Sequence, residues 1–165
     1  MEVALLLKVG SKVVYPMQGI GVVSSIEEKN FYDETKRYYT IDILNSTMNI
    51  LIPADKIPKS NLRLVSDLST LEKILSAINK ELSPESEELS QKEKYALNMK
   101  KIKSGSLKES IELVRDLTHA GNIKKLNSNE TQILATAKKM VLEEISVIKD
   151  ISTEEADDFL KSRIS

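Results

Sequence analysis

The sequence of 165 residues contains no cysteine and no tryptophan, and it has a single histidine, five glycines and four prolines. Without cysteine, the chain cannot form a disulfide framework, a thiolate metal site or a cysteine nucleophile. This absence fits the reducing environment of the cytoplasm, where we expect the protein to reside. We expect no metal centre.

Long apolar runs are also missing. The segment MEVALLLKVG at residues 1–10 is too short to span a membrane, and Glu2 stands where a signal peptide would carry positive charge. We therefore expect a soluble protein without a membrane partner, in which residues 3–7 form a first strand or lead into one. The net charge of -1 argues against general coating of a polyanion, so any nucleic-acid contact must come from a local basic face.

Motifs for catalysis are scarce. His119 lies near the predicted end of a helix, where a favourable dipole interaction or simple exposure explains it. The sequence contains no GxxxxGK[ST] phosphate loop, and its paired glutamates lie in polar surface stretches. With no convergent nucleophile and base, the sequence predicts a protein that is not an enzyme and uses neither a cofactor nor a small-molecule substrate.

The first third of the chain has the pattern of short strands separated by turns. Residues 8–26, KVGSKVVYPMQGIGVVSSI, contain two β-prone stretches around a proline-glycine turn. YYTIDIL at 38–44 and MNILI at 48–52 predict two further strands, the polar residues 30–37 predict an exposed hairpin loop, and residues 62–65 predict a last short strand. This order predicts a small antiparallel barrel of the SH3/Tudor type.

Beyond Asp67 the apolar residues take up helical spacing. The first helix is predicted over 68–78, and Thr153 begins the last. Capping patterns predict the starts and ends of the helices between them. The predicted starts are Ser83-Pro84, Ser90 with Glu93, Ser106 with Glu109, and Asn127 with Glu130, and the predicted ends are Gly105 and Gly121.

These patterns predict an α+β protein with two domains, a β-barrel over residues 1–67 and a domain of about five helices over 68–165. The acidic stretch 143–158 is predicted to be a solvated face. Over residues 92–125, nine basic residues oppose four acidic ones, a local excess that suits a phosphate backbone. A lysine-rich helical face is nevertheless common in soluble proteins. The nine basic residues are Lys92, Lys94, Lys100, Lys101, Lys103, Lys108, Arg115, Lys124 and Lys125.

The motif VGxxVVYPxxGxGxV, which starts at Val9, resembles the amino-terminal domain of the bacterial CarD/CdnL transcription regulators, a domain shared with the transcription-repair coupling factor. Residues 98–117, NMKKIKSGSLKESIELVRDL, and 126–146, LNSNETQILATAKKMVLEEIS, resemble helical motifs of the same family in the same order. The similarity covers roughly residues 8–148. Many SH3-like barrels with unrelated partners begin in a similar way, so the order of all the motifs carries this resemblance.

The resemblance implies a regulator that binds the RNA polymerase β subunit through its barrel and promoter DNA through its helices, and thereby changes the stability of the open complex. Family members typically insert a tryptophan into the minor groove. Counting back from Tyr95, which matches a family tyrosine, that position falls on Gln91. The predicted DNA-binding residues are Gln91, Lys92, Lys94, Tyr95, Lys100, Lys101, Lys124 and Lys125.

In the barrel, a basic family residue falls near Lys29, whereas another falls on Leu51. The predicted polymerase-binding residues are therefore Lys29, Lys36, Arg37 and Leu51, with strand addition at an exposed edge as one means of contact. Because the tryptophan is absent, an alternative stays open in which the helical domain contacts a protein partner and not DNA.

Overall fold

A computed structural model describes residues 6–78 and 89–164. The chain divides into two compact units, residues 1–65 and 66–165. The predicted α+β class is confirmed, with an antiparallel sheet followed by helices. Within the described residues, no helix is long and apolar enough to cross a membrane.

The first unit contains five antiparallel strands. They are β1 (Lys12–Tyr15), β2 (Gly19–Phe31), β3 (Glu34–Ile43), β4 (Asn49–Pro53) and β5 (Arg63–Leu64), in the spatial order β4-β3-β2-β1-β5. A 3-10 turn (Ala54–Lys56) and the short helix α1 (Ile57–Ser60) connect β4 to β5. The described strands form an open, barrel-like sheet, since β4 and β5 end the order without pairing with each other.

The core of this unit lies on one face of the sheet. Val13, Val23, Tyr39, Ile41 and Ile52 are buried there together with residues from the connecting segments. The alternation of these positions along each strand follows from the two-residue repeat of β-structure. The opposite face of β2, β3 and β4 carries Lys29, Lys36 and Leu51, which are described with the candidate site.

The predicted proline-glycine turn is confirmed and lies between β1 and β2. Gln18 donates its backbone N–H to the carbonyl of Tyr15 over 2.9 Å, and Met17 and Gly19 have φ of 70° and 120°. Gly21 lies within β2, where the absence of a side chain matters for packing. A Cβ at Gly21 would lie 2.5 Å from Cγ2 of Ile41, so glycine allows β2 and β3 to approach closely.

The exposed hairpin predicted over residues 30–37 is confirmed, but its loop is much shorter than predicted. Strands β2 and β3 continue to Phe31 and from Glu34, leaving Tyr32 and Asp33 as a two-residue turn with φ of 50° and 64°. Paired φ values of this sign suit a tight hairpin. Pairing with β4 ends at Tyr38, and from there to the turn the described strands β2 and β3 pair only with each other. The polar residues that suggested a loop therefore lie on an exposed two-stranded arm.

The amino-terminal strand predicted over residues 3–7 falls partly outside the described residues. Leu6 and Leu7 are described, and neither belongs to a strand. Leu7 is nevertheless buried in the sheet's core. The chain at Leu7 therefore contributes its side chain to the core without extending the sheet.

The second unit contains five described helices, α2 (Leu68–Ile78), α3 (Gln91–Lys103), α4 (Leu107–Ile123), α5 (Ser128–Lys149) and α6 (Thr153–Ile164). Their buried faces form one core that includes Leu71, Ile111, Ala137, Val141 and Leu160. The predicted caps at Ser90, Ser106 and Asn127 are confirmed. The Ser83-Pro84 cap lies outside the described residues.

Two details of the helical prediction are wrong. Helix α4 passes through Gly121 and ends at Ile123, because a glycine stops a helix only where the chain adopts a left-handed conformation there. The acidic stretch 143–158 is not uniformly solvated, since Glu144 is buried and accepts a hydrogen bond from the backbone N–H of Ser66 over 3.0 Å. This carboxylate holds the segment that leads into α2.

Candidate functional site

The first turn of α3 is fixed by its own cap. Ser90 Oγ accepts a hydrogen bond from the backbone N–H of Glu93 over 3.1 Å and donates one to Glu93 Oε1 over 3.1 Å. This exchange satisfies groups that a helix start leaves without intrahelical partners. It also sets the positions of Gln91, Lys92 and Lys94, three of the residues predicted to bind DNA.

The start of α5 carries a complete capping box. Asn127 Oδ1 accepts from the N–H of Glu130 over 2.8 Å, and Glu130 Oε1 accepts from the N–H of Asn127 over 3.0 Å. The second polar atom of the Asn127 side chain is then directed to α3, where Nδ2 donates to Gln91 Oε1 over 3.2 Å. The cap of one helix therefore joins the beginning of the other.

A surface cavity of about 320 Å³ lies where α3 and α5 begin. Its lining includes Gln91, Lys92, Lys94 and Tyr95, so the structure brings four predicted DNA-binding residues together. Lys92 and Tyr95 are exposed, and Lys94 is half-buried. The remaining lining residues are Asn98, Asn127, Asn129, Glu130 and Ile133.

The other four predicted residues differ in their relation to this cavity. Lys124 and Lys125 are exposed in the loop before Asn127, which places their Cα atoms within about 11 Å of the Asn127 Cα by chain length. Lys100 follows Gln91 by nine helical positions, so it lies about 180° around α3 from that residue. Lys101 is half-buried and does not line the cavity.

Arg115 does not belong to a basic surface, contrary to its place in the sequence-based cluster. Its guanidinium is buried in the helical unit, where Nη1 donates to the backbone carbonyl of Ile78 and Nε donates to Asp116 Oδ1 over 2.9 Å. Lys108, another member of that cluster, lies 3.8 Å from Glu112 one turn later in α4. Each of these two cations has a carboxylate partner from the same stretch, so the local excess of positive charge rests on the other seven basic residues.

The sheet separates the predicted polymerase-binding residues between its two faces. Lys29 and Lys36 are directly paired across β2 and β3, and Leu51 is paired with Thr40 across β4 and β3. By strand alternation these three lie on the outer face, opposite the buried core. Arg37 lies on the other face, where its pair is Glu28 and their charged atoms are 3.9 Å apart.

Aromatic side chains accompany the cations of the outer face. The rings of Phe31 and Tyr38 meet edge to face with centroids 6.1 Å apart, and Lys29 Nζ lies 5.9 Å from the centroid of Tyr38. Leu51 on the edge strand β4 is 50% exposed. This outer face, defined by Lys29, Phe31, Lys36, Tyr38 and Leu51, combines apolar area with charged side chains, as partner-binding surfaces often do. Its charges are of both signs, since Lys36 Nζ lies 4.0 Å from Glu34 Oε2.

A pair of charged residues with shifted pKa values joins α6 to α2. Arg163 donates to both carboxylate oxygens of Glu72 on α2, over 3.2 and 2.9 Å. These hydrogen bonds hold the pKa of Glu72 below its ordinary value and raise that of Arg163.

Among the described residues, no group of three histidine, aspartate or glutamate side chains is arranged to hold a metal ion.

Sequence reasoning missed the cavity residues Asn98, Asn127 and Asn129 and the outer-face aromatics Phe31 and Tyr38. The spacing of Gln91, Lys94, Tyr95 and Asn98 does place them on one side of a helix. The sequence predicts Asn127 only as a helix cap. Its second contact depends on α3 and α5 meeting, which no local pattern indicates.

Two family models together match nearly the whole chain. Residues 7–66 match the model described as "CarD-like/TRCF RID domain", and residues 67–161 match "CarD, C-terminal domain". The chain is also 37% identical over 155 residues to "Putative transcription factor YdeB" of Bacillus subtilis (strain 168), an alignment that covers 93% of this chain and 99% of the relative.

Proposed function

Because this chain belongs to the CarD-like family of transcription regulators, we propose that it regulates transcription, without catalysis, by bridging RNA polymerase and promoter DNA. In this proposal, which places it in the bacterial cytoplasm, the sheet unit binds the polymerase β subunit. The helical unit binds DNA near the melted region. The protein requires no cofactor for this role.

The cavity where α3 and α5 begin carries the DNA-binding part of the proposal. Lys92 and Lys94 line it, and the exposed Lys124 and Lys125 precede Asn127 at its edge. Lysines grouped in this way neutralise phosphates and release counterions, which gives affinity with little dependence on sequence. Tyr95, which is 42% exposed, adds an aromatic ring beside the cations.

The outer face of the sheet supports polymerase binding. Lys29, Lys36 and Leu51 share this face with the Phe31 and Tyr38 rings. Strand β4 lies at an edge of the sheet, so it can also accept a strand from a partner through main-chain hydrogen bonds. The match of residues 7–66 to the domain described as CarD-like/TRCF RID favours polymerase as that partner.

The regulatory effect follows from differential affinity. A protein that binds the open promoter complex more tightly than the closed one raises the population of the open complex, whereas equal affinity for both changes nothing. Contacts near the melted region form only in the open complex. Simultaneous binding to polymerase raises the effective concentration of the helical unit at the promoter.

A second candidate function is a polymerase-bound adaptor whose helical unit contacts a protein. One observation favours it. Gln91, at the position of the family's tryptophan, is hydrogen-bonded to Asn127, and an amide lacks the apolar ring area of an inserted wedge.

Two measurements test the proposal. Open-complex lifetimes on a promoter, with and without the protein, should differ if it acts on this step, and identical lifetimes would contradict the mechanism. Fluorescence anisotropy with fork-junction DNA at two salt concentrations separates the candidates. Salt-sensitive binding supports DNA as the ligand, whereas retention of the polymerase β subunit without any DNA binding favours the adaptor.

A further inference from the structure

The cavity defined above has an unusual concentration of side-chain amides. Gln91, Asn98, Asn127 and Asn129 contribute four of its nine lining residues. Asn127 uses both of its polar atoms in contacts with Glu130 and Gln91, which leaves Asn98, Asn129 and Nε2 of Gln91 to face a ligand. An amide combines an acceptor oxygen with an NH₂ donor, so such groups pair with ligands that present donors and acceptors side by side. The edges of nucleobases are ligands of this kind, and asparagine and glutamine read them through paired hydrogen bonds.

The cavity is lined by charges of both signs, with Lys92 and Lys94 on α3 and Glu130 on α5. Glu130 lines the cavity and uses Oε1 in its cap with Asn127. The backbone N–H groups of Glu93 and Glu130 are likewise occupied by the caps of their helices. An anion would meet a carboxylate here, whereas an exocyclic amino group could donate to one. Lys92 and Lys94 remain available to hold the adjoining phosphates.

Size and apolar surface agree with one base. The volume of about 320 Å³ lies at the lower end of the range for small-molecule pockets, about 300–1,000 Å³. Tyr95 supplies an aromatic ring at the side and Ile133 a buried apolar contact. Stacking on an aromatic ring and hydrogen bonding at the edge are how single-stranded bases are bound.

We propose that this cavity receives one unpaired DNA base, held by stacking on Tyr95 and by hydrogen bonds from the amides of α3 and α5. The inference rests on the proposed function, because it requires that the helical unit bind promoter DNA. This arrangement is the opposite of the insertion of a tryptophan into the minor groove. The protein does not insert a side chain between bases, and a base that has left the duplex enters the protein.

The test uses the full-length protein and two labelled fork-junction DNAs at two salt concentrations. One fork carries a single unpaired adenine at the junction, and the other has an abasic site at that position. Wild-type protein should bind the adenine fork about tenfold more tightly than the abasic fork, the size expected for one stacked base.

The variants separate base recognition from phosphate contact. Asn98→Ala and Tyr95→Ala should reduce the preference for the adenine fork to about threefold or less, while Tyr95→Phe retains it because the ring remains. Asn122→Ala is the matched control, since Asn122 is exposed and does not line the cavity. Lys92→Ala should weaken binding to both forks equally. If Asn98→Ala fails to fold, the exposed Asn129 provides a second amide variant, Asn129→Ala.

The outcomes distinguish this inference from the proposed function. Equal wild-type affinity for the two forks would overturn base binding while leaving DNA binding intact. An unchanged preference in a folded amide variant, Asn98→Ala or its substitute Asn129→Ala, would likewise overturn it. Absence of binding to either fork would overturn the inference together with the DNA-binding part of the proposed function.

Discussion

Asn127 Nδ2 donates a hydrogen bond to Gln91 Oε1 over 3.2 Å and so links the starts of two helices that are 36 positions apart in the chain. The same asparagine caps α5 through its Oδ1. One short side chain thus stabilises a helix start and positions a wall of the cavity. Gln91 is held against α5, and it forms part of a recess together with Tyr95 and Asn98.

The lysines at this cavity should determine the salt dependence of DNA binding. We expect the double substitution Lys92→Glu with Lys94→Glu to reduce the slope of log affinity against log salt by about two units, because each phosphate contact contributes about 0.9. Anisotropy titrations of fork-junction DNA measure the slope. The control, Lys73→Glu with Lys139→Glu, makes the same charge change at residues that do not line the cavity, and equal slopes for both pairs would place the contact elsewhere.

The two faces of the sheet should differ in polymerase binding. Lys29→Glu with Lys36→Glu reverses charge on the outer face, beside Tyr38, and should weaken retention of the polymerase β subunit about tenfold or more. The other face carries Arg37, paired with Glu28. Arg37→Glu should have little effect, and a pull-down in which it is the more damaging change would assign the contact to that face.

Buried Arg115 should contribute to stability and not to DNA affinity. Arg115→Met removes the donors to the Ile78 carbonyl and to Asp116. It should lower the free energy of unfolding by about 2–3 kcal/mol, because a buried carbonyl and a half-buried carboxylate lose their donors. Urea denaturation of the full chain measures the loss. Lys139→Met, at an exposed position of α5, controls for the change in charge and should be close to neutral.

Two glycines should respond in opposite ways to alanine. At Gly21 the added Cβ would lie 2.5 Å from Ile41 Cγ2 and 3.1 Å from the Asp42 carbonyl oxygen, so the variant should lose about 1–3 kcal/mol of stability. At Gly121 the nearest atom, Leu126 Cγ, would be at an ordinary 3.4 Å. Because this position is helical, Gly121→Ala should gain about 0.5–1 kcal/mol. Thermal unfolding of both variants measures the sign.

The attachment of α6 should weaken in acid. Hydrogen bonds from Arg163 lower the pKa of folded Glu72, so the unfolded chain binds more protons at this group and stability rises with pH in that range. The contribution is complete above the ordinary pKa of 4.5 and is lost as the pH falls through the lower folded value. Unfolding measured between pH 7 and pH 3 should therefore show a shallower acid loss for Glu72→Gln.

The matched control for this pH effect is Glu154→Gln on α6. Glu154 is exposed in the first turn of the helix, so its substitution should leave the acid loss close to that of the wild type. An acid loss that is equally reduced in both variants would assign it to general charge and not to the contact between Glu72 and Arg163.

Local patterns in the sequence determined most of the elements. Alternating apolar residues predicted the strands, and the caps at Ser90, Ser106 and Asn127 predicted three helix starts, because both signals act over a few residues. These local signals failed at two places, the hairpin arm and the end of α4. The arm around Tyr32 and Asp33 is exposed on both faces, so its polarity resembled that of a loop. Gly121 does not adopt the left-handed conformation that ends a helix, so α4 continues through it to Ile123.

The sequence by itself determined the two-part α+β organisation and the residues at which a basic surface could form. Only the tertiary structure decided which of them lie together. Packing of α3 against α5 collected Gln91, Lys92, Lys94 and Tyr95 around one cavity and added Asn98 and Asn129, while Arg115 and Glu144 became buried. The physical reason is range. Caps and periodicity act along the chain, whereas a binding site depends on contacts between segments that only the packed core brings into register.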